Sequence, residues 1–155
     1  MKTALLILPL FIYCCYSYAV KINFSATLIR VNCVVNNDKP AEIDFGDTVG
    51  VNHIDGVRYQ QRIPISIVCR TPPGKQLELA FSGITSNFDA SALFTGMEDL
   101  GIRIMQNNQP IIINQRFTLD DATQPVFYAV PVKRAGSDLK SGRFNALATL
   151  IIQSE

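Results

Sequence analysis

The sequence lacks tryptophan, contains a single histidine, and has nearly equal numbers of basic and acidic residues, 14 and 13. The patterns GxSxG, HExxH, GxxxxGK[ST] and GxGxxG are also absent, so nothing indicates a hydrolase triad, a zinc peptidase or a nucleotide site. His53 lies in the polar stretch VNHIDG, and the sequence suggests no nucleophile or orienting group beside it, as a general base requires. We therefore predict that the protein is not an enzyme and that His53 is a surface loop residue.

The acidic residues do not form a metal-binding pattern. Asp44, Asp47 and Asp55 lie near one another in sequence, but the spacing of an EF-hand calcium loop is absent. Two adjacent acidic pairs fall in predicted turns, where sequence neighbours tend to point apart. Neither a metal ion nor a cofactor is predicted.

Residues 1–19 have the pattern of a secretory signal peptide, with a basic start, an apolar run over residues 4–13 and a small residue, Ala19, at the cleavage position. The run is too short for a membrane-spanning helix. Lipid attachment at Cys14 or Cys15 is the third reading, but a bulky residue precedes Cys14 where a small one is expected. The predicted mature chain is therefore residues 20–155, which is enough for one domain.

The predicted mature chain is electrically balanced. Removal of Lys2 with the signal peptide reduces the 14 basic residues to 13, which equals the 13 acidic residues. No polybasic run is present, so neither nucleic acid nor an anionic membrane is a predicted partner.

Two cysteines, Cys33 and Cys69, remain in the predicted mature chain. In an exported protein such a pair predicts one disulfide. Closing a loop of this length contributes roughly 4 kcal/mol in the chain-entropy description. A metal or redox pair is the alternative, but the CxxC spacing is missing and the single histidine has no second ligand in view.

Apolar and polar residues alternate with period two along most of the chain, which is typical of half-buried strands. Clusters of Gly, Pro, Asn and Asp separate these segments and predict turns. Residues 82–96 read as an excursion with weak pairing, and Pro64 predicts a free edge or a bulge within its strand because it lacks a donor. The predicted strands cover residues 20–35, 41–45, 59–70, 76–81, 100–105, 111–113, 126–133 and 143–153.

Seven or more short strands without a helical period predict an all-β, immunoglobulin-like β-sandwich. Its last strand is the most apolar one, and it follows a Ser-Gly turn at residues 141–142. No Pro or Lys blunts this strand, so it must pair on both sides or attract a partner. One face of the strand is predicted to carry Phe144, Ala146, Ala148, Leu150 and Ile152.

Several segments, in their order and spacing, resemble the pilus subunits of chaperone–usher fimbriae, and are most similar to the minor pilins of type 1 and P pili. These segments are VKINFSATLIRVNC after the signal peptide, AEIDFGDT, RIPISIVC ending at Cys69, LGIRIMQNNQPI, and GRFNALATLII starting at Gly142. Together they cover essentially all of residues 20–155. One departure is Ser154, where the family usually has an aromatic residue.

The resemblance implies a sandwich that lacks its seventh strand and a groove beside the C-terminal strand. A periplasmic chaperone fills the groove first, and the N-terminal extension of the next subunit replaces it in the fibre after delivery to an outer-membrane usher. The implied domains are a signal peptide at 1–19, a donor-strand extension at 20–27 and a pilin domain at 28–155. The implied donor side chains are Val20, Ile22, Phe24 and Ala26. The implied chaperone- and groove-binding residues are Gly142, Phe144, Ala146, Ala148, Leu150, Ile152 and the terminal Glu155.

The expected function is therefore that of a structural and minor subunit of an adhesive pilus, exported through the periplasm to the cell surface. Neighbouring subunits are its expected partners. Residues 20–28 also allow a simpler interpretation, as a first strand folded into the protein's own sandwich. The alternative function is a fimbrial adhesin or a secreted carbohydrate-binding module. A lectin domain in addition to the pilin domain does not fit within one domain, and the aromatic residues do not cluster in sequence.

Overall fold

The computed structural model describes residues 32–70, 76–119 and 124–154, and the described chain is built from strands and two short 3-10 turns. Among these residues, no helix has the length and hydropathy needed to cross a membrane. The 3-10 turns span Asn36–Asp38 and Val51–His53. The strands are β1 (Asn32–Val35), β2 (Gln61–Arg62), β3 (Ile67–Arg70), β4 (Leu77–Gly83), β5 (Ala92–Phe94), β6 (Leu100–Gln106), β7 (Gln109–Pro110), β8 (Arg116–Thr118), β9 (Phe127–Lys133) and β10 (Ala148–Ser154).

Two sheets face each other across the core. The large sheet has the strand order β2-β9-β6-β5, with β7 paired to β6, and the small sheet has the order β10-β4-β8. Strands β1 and β3 form a separate pair, and all registered pairs of the described strands are antiparallel. This arrangement confirms the all-β sandwich predicted from the alternation of the sequence.

Aromatic side chains fill the centre of the sandwich. Phe127 of the large sheet meets Phe81 of the small sheet edge-on, with ring centroids 5.1 Å apart, and Phe117 lies 6.1 Å from Phe127. Phe127 and Leu79 are fully buried. Each such side chain stabilises the fold by roughly 1.5–3 kcal/mol relative to an exposed one, so these residues hold the two sheets together.

The predicted disulfide is present. Cys33 and Cys69 are register partners in the β1–β3 pair, and their sulfur atoms are bonded. The bridge ties the first described strand to a segment 36 residues away.

The predicted strand over residues 59–70 is two strands. The chain belongs to the large sheet up to Ile63, whose amide donates to the carbonyl of Phe127 at 2.8 Å, and it belongs to the β1–β3 pair from Ser66 onward. Between them Pro64 lacks a donor, and the Ile65 amide bonds back to the Ile63 carbonyl at 2.9 Å. The proline therefore marks the point where the chain crosses from one sheet to the other, a larger break than the predicted bulge or free edge.

Two other strand predictions were wrong, and a third placed the start of its strand too early. Residues 41–45 and 111–113 form no strand, although Ile111 and Ile113 are buried, and residues 143–147 precede the first paired residue of β10. Conversely, the predicted excursion over 82–96 contains β5, which pairs with β6. Residues 41–45 have alternating burial as predicted, but no strand lies alongside them in the described part of the chain, so no ladder can form.

Candidate functional site

An open groove with a volume of about 790 Å³ runs along the sandwich between two chain segments. One wall is formed by residues 35–45 and the other by residues 144–150. Between these walls the groove reaches down to apolar residues of the sandwich interior, which we name the groove floor. Its buried residues are Ile63, Phe81, Leu93, Ile102, Ile104 and Ala129.

The C-terminal wall has the face predicted for it. Phe144, Ala146 and Leu150 are half-buried and pack against the core, whereas Leu147 at the intervening parity is 82% exposed. Ala148 also lines the groove, although its side chain is exposed. The period of two therefore directs alternate side chains of this segment toward the groove.

Other predicted residues of this segment are placed differently. Ile152 packs against the core beyond the groove, and Gly142 is exposed. Glu155 lies outside the described residues, as does the predicted donor set of Val20, Ile22, Phe24 and Ala26.

The C-terminal wall has one free backbone edge. Strand β10 pairs with β4 on one side, and among the described strands none pairs with its other side, which faces the groove. Before β10, the Asn145 amide bonds to the Thr95 carbonyl at 3.3 Å. A row of free amide and carbonyl groups next to apolar pockets is the arrangement that accepts an added strand.

Gly83 allows the wall to approach the core closely. A Cβ atom at this position would lie 2.8 Å from the Leu147 carbonyl oxygen and 2.6 Å from Cδ2 of Leu93. Gly83 is the last residue of β4 and pairs with Ala148, the first residue of β10. Because Gly83 has no side chain, the C-terminal wall can approach β4 closely at the point where it joins the small sheet.

The other wall is anchored by Asn36. Its amide nitrogen Nδ2 donates to the Pro64 carbonyl at 2.9 Å, and its Oδ1 accepts from the Ser66 amide at 2.7 Å. The backbone amide of Asn36 also donates to the Ser66 carbonyl. This asparagine therefore ties the start of the wall to the residues around the sheet crossing.

Two phenylalanines connect the walls at one end of the groove. Phe45 and Phe144 are the outermost lining residues of their walls, and their ring centroids are 6.1 Å apart. Phe144 also packs on a second apolar cluster around Ile54, Leu100 and Leu139. This contact brings the two walls together near Phe144.

Charged groups lie at the rim of the groove and away from it, not on its floor. Asp38, Lys39 and Glu42 are exposed on the wall formed by residues 35–45. Outside the groove, Asp89 pairs with Arg103. Within the described ranges, no group of three His, Cys, Asp or Glu side chains could hold a metal ion.

The ionisation of two aspartates is set by local hydrogen bonds. Burial raises the pKa of Asp89, but hydrogen bonds from Ser91 and Arg103 outweigh burial and hold the pKa below its usual value. Backbone amides of Arg58 and Val57 lower the pKa of Asp55 in an exposed turn. Both arrangements stabilise turns or sheet edges, so neither carboxylate is placed as a proton donor at neutral pH.

Sequence reasoning missed most of the groove. Most floor residues were predicted as strand residues, whereas Leu93 fell in the predicted excursion over 82–96. None was predicted as a member of a site, because these residues come from segments far apart in the chain. The wall around Ile43 and Phe45 was signalled by alternation, whereas nothing in the sequence pointed to Asn36.

The fold and the groove together define an all-β sandwich protein with an open apolar groove beside its C-terminal strand. The chain belongs to the fimbrial protein family, whose family model matches residues 22–154. Relatives in Escherichia coli (strain K12) are the fimbrial-like proteins YfcR, 29% identical over 74% of this chain and 69% of that protein, and YfcQ, 28% identical over 83% of each.

Solved structures show the same fold. The P pilus rod subunit PapA matches with a TM-score of 0.64 and 22% identity, over 79% of this chain and 99% of that chain. The P pilus adaptor subunit PapF matches with a TM-score of 0.57 and 26% identity, over 79% of this chain and 95% of that chain. The resemblance to chaperone–usher pilus subunits and the immunoglobulin-like sandwich are thereby confirmed.

Proposed function

We propose that this chain is a structural, non-enzymatic subunit of an adhesive pilus. A periplasmic chaperone fills its groove with a strand during export, an outer-membrane usher receives the complex, and a strand of a neighbouring subunit replaces the chaperone in the surface fibre. The observation that carries this proposal is the apolar groove of about 790 Å³ beside the free edge of β10.

The groove fits a strand better than it fits a small polar molecule. Its wall presents small side chains, Ala146 and Ala148, at alternate positions, which leaves room for large side chains spaced by two residues on an incoming strand. Each large apolar side chain that leaves water contributes roughly 1.5–3 kcal/mol. With the added ladder of backbone hydrogen bonds, three or four such residues make a joint that dissociates very slowly.

The proposal extends to both ends of the chain. Residues 20–27 are the strand that this subunit donates to its neighbour, with Val20, Ile22, Phe24 and Ala26 facing the neighbour's groove. Residues 28–155 are the accepting domain, with Gly142 opening its last segment and Glu155 presenting the terminal carboxylate to the chaperone. Residues 1–19 are the signal peptide.

A minor position in the fibre is supported by one relative. PmfE of Proteus mirabilis (strain HI4320), named as a candidate minor fimbrial subunit, is 32% identical over 78% of this chain. This chain spans 39% of PmfE.

The test uses a labelled synthetic peptide of residues 20–31 and a protein chain begun at residue 28, so that the peptide is the sole source of the extension. The chain is refolded with excess peptide, and peptide retained after gel filtration is measured. Peptide with the native sequence is expected to remain bound.

Two variant peptides probe the alternation. Ile22→Asp removes an apolar contact and buries a charge, so retention is expected to fall by tenfold or more. Asn23→Asp, at the opposite parity, is the matched control and is expected to bind like the native peptide. Equal retention of the two variants, or failure of the native peptide to bind, would refute the strand-accepting function.

A further inference from the structure

Three large apolar side chains lie side by side on the outer surface next to the groove. The pair Gly83 and Ala148 ends the β4–β10 ladder, so the next step places Ile84 opposite Leu147. On the other side, the Phe94 amide donates to the Ile84 carbonyl at 2.7 Å, beside the bridge between Thr85 and Leu93. We name these residues, Leu147, Ile84 and Phe94, the apolar row.

The apolar row faces solvent. Leu147 is 82% exposed, Ile84 is 74% exposed and Phe94 is 39% exposed. Residues directly opposite each other in antiparallel strands share one face, and the intervening residues Gly83 and Leu93 point to the core. Isolated exposed apolar residues are normal on a protein surface, but a contiguous group marks an interaction surface.

We propose that the apolar row is a docking surface for the folded body of a second copy of this chain, the copy whose N-terminal extension fills the groove. The proposal rests on the strand-accepting function. It adds a second contact, outside the groove, between the same two molecules.

The row is continuous with the groove. Leu147 belongs both to the row and to the C-terminal wall, so a molecule seated in the groove passes directly beside Leu147. On the β4–β10 side of the row, the next residues on the outer face, Thr149 and Ser82, are uncharged. The extension of one copy can fill the groove of another, because the chain carries both a groove and an alternating extension. Such copies join head to tail.

The direction of the incoming strand places its owner over the row. All registered strand pairs in the described part of this fold are antiparallel, and antiparallel pairing is the slightly more stable mode. A strand that runs antiparallel to the C-terminal wall passes Leu147 before it reaches Phe144. Its C-terminal end therefore leaves the groove next to Phe144. Residues 28–31 then lead to β1 of the donor, a reach of at most about 15 Å at ~3.5 Å per residue. The donor's folded body therefore lies close to the row.

The apolar row needs a partner that stays in place after assembly, which favours a neighbouring subunit over a chaperone. A chaperone leaves when the fibre forms, and three large apolar side chains would then be exposed again on a surface-located protein. A neighbouring subunit covers them in the finished assembly, which removes this liability for non-specific association.

The experiment compares two kinds of occupant on the full mature chain, residues 20–155. One occupant is a labelled second copy of the chain, and the other is the labelled peptide of residues 20–31, which has no folded body. Each is loaded by refolding, and its dissociation is followed by chase with unlabelled material. The acceptor variants are Ile84→Ser and the matched control Val57→Ser, because Val57 is 73% exposed in a different loop.

In the Ile84→Ser acceptor, the second copy is expected to dissociate about tenfold faster, whereas the peptide is expected to dissociate at the parental rate. Val57→Ser is expected to change neither rate. An unchanged rate for the second copy in Ile84→Ser, equal acceleration of copy and peptide, or a parental chain that does not join a second copy would overturn the proposal. A parental chain that does not retain even the peptide would overturn the strand-accepting function itself, which is a distinguishable failure.

Discussion

Gly83→Ala tests whether the position of the C-terminal wall depends on the missing side chain at residue 83. The new Cβ would lie 2.6 Å from Leu93 Cδ2 and 2.8 Å from the Leu147 carbonyl oxygen, both below the 3.0 Å that real Cβ atoms respect. Leu93 is 5% exposed and has little room to rotate away, and the Leu147 oxygen is backbone. The wall or the core must therefore shift, which is expected to lower the free energy of unfolding by about 1–3 kcal/mol.

The matched control is Gly142→Ala in the same segment. Its Cβ would meet nothing closer than Met97 Cε at 3.9 Å, so no clash arises. Because alanine restricts the unfolded chain more than glycine does, this variant is expected to be neutral or more stable by up to about 1 kcal/mol. Urea unfolding followed by far-UV circular dichroism measures both differences. If Gly83→Ala is as stable as Gly142→Ala, the close approach of the wall to β4 does not determine the fold.

Two further predictions concern the rest of the sandwich. Asp89→Asn removes the charge that accepts from Arg103 and is expected to cost about 1.5–3 kcal/mol at pH 7 in urea unfolding, whereas the exposed Asp47→Asn should cost nothing measurable. Because the pKa of Asp89 is lowered in the folded state, its contribution to the free energy of unfolding is present above the ordinary value of 3.8 and is lost as the pH falls through the folded-state pKa. The stabilities of the parent and Asp89→Asn should therefore converge in acid. A constant difference in stability at every pH would contradict this assignment. Cys33→Ser opens the loop closed through Cys69 and is expected to lower the free energy of unfolding by roughly 4 kcal/mol, and an oxidised parent no more stable than this variant would refute the structural role of the bridge.

Period-two patterns predicted the central strands well because those strands have partners on both sides. Strands β4, β6 and β9 each pair along most of their length and bury one or both faces, so residue polarity and backbone pairing agree. The same pattern failed to predict pairing at residues 41–45 and 143–147, where side chains alternate correctly but the backbone joins none of the described strand ladders. Polarity reports which face is buried, and it does not report whether a backbone neighbour is present.

The candidate site was predictable only in part for the same reason. The face of the C-terminal wall followed from alternation in a single segment. The floor brings together Ile63, Phe81, Ile102 and Ala129, which belong to four separate stretches of sequence and meet only through sheet topology. The side-chain hydrogen bonds of Asn36 to Pro64 and Ser66 depend on a left-handed backbone conformation, with φ of 48°. No residue pattern in the sequence predicts this conformation.

The groove floor is also the hydrophobic core. Phe81, Ile102 and Ile104 line the groove and at the same time belong to the main cluster that holds the sheets together. A segment that fills the groove therefore acts as a ligand of the folded state, and its concentration and affinity add directly to the free energy of unfolding. In a linear assembly of such molecules, the unit whose groove is unoccupied is the least stable one, so unfolding and disassembly would both begin at that end.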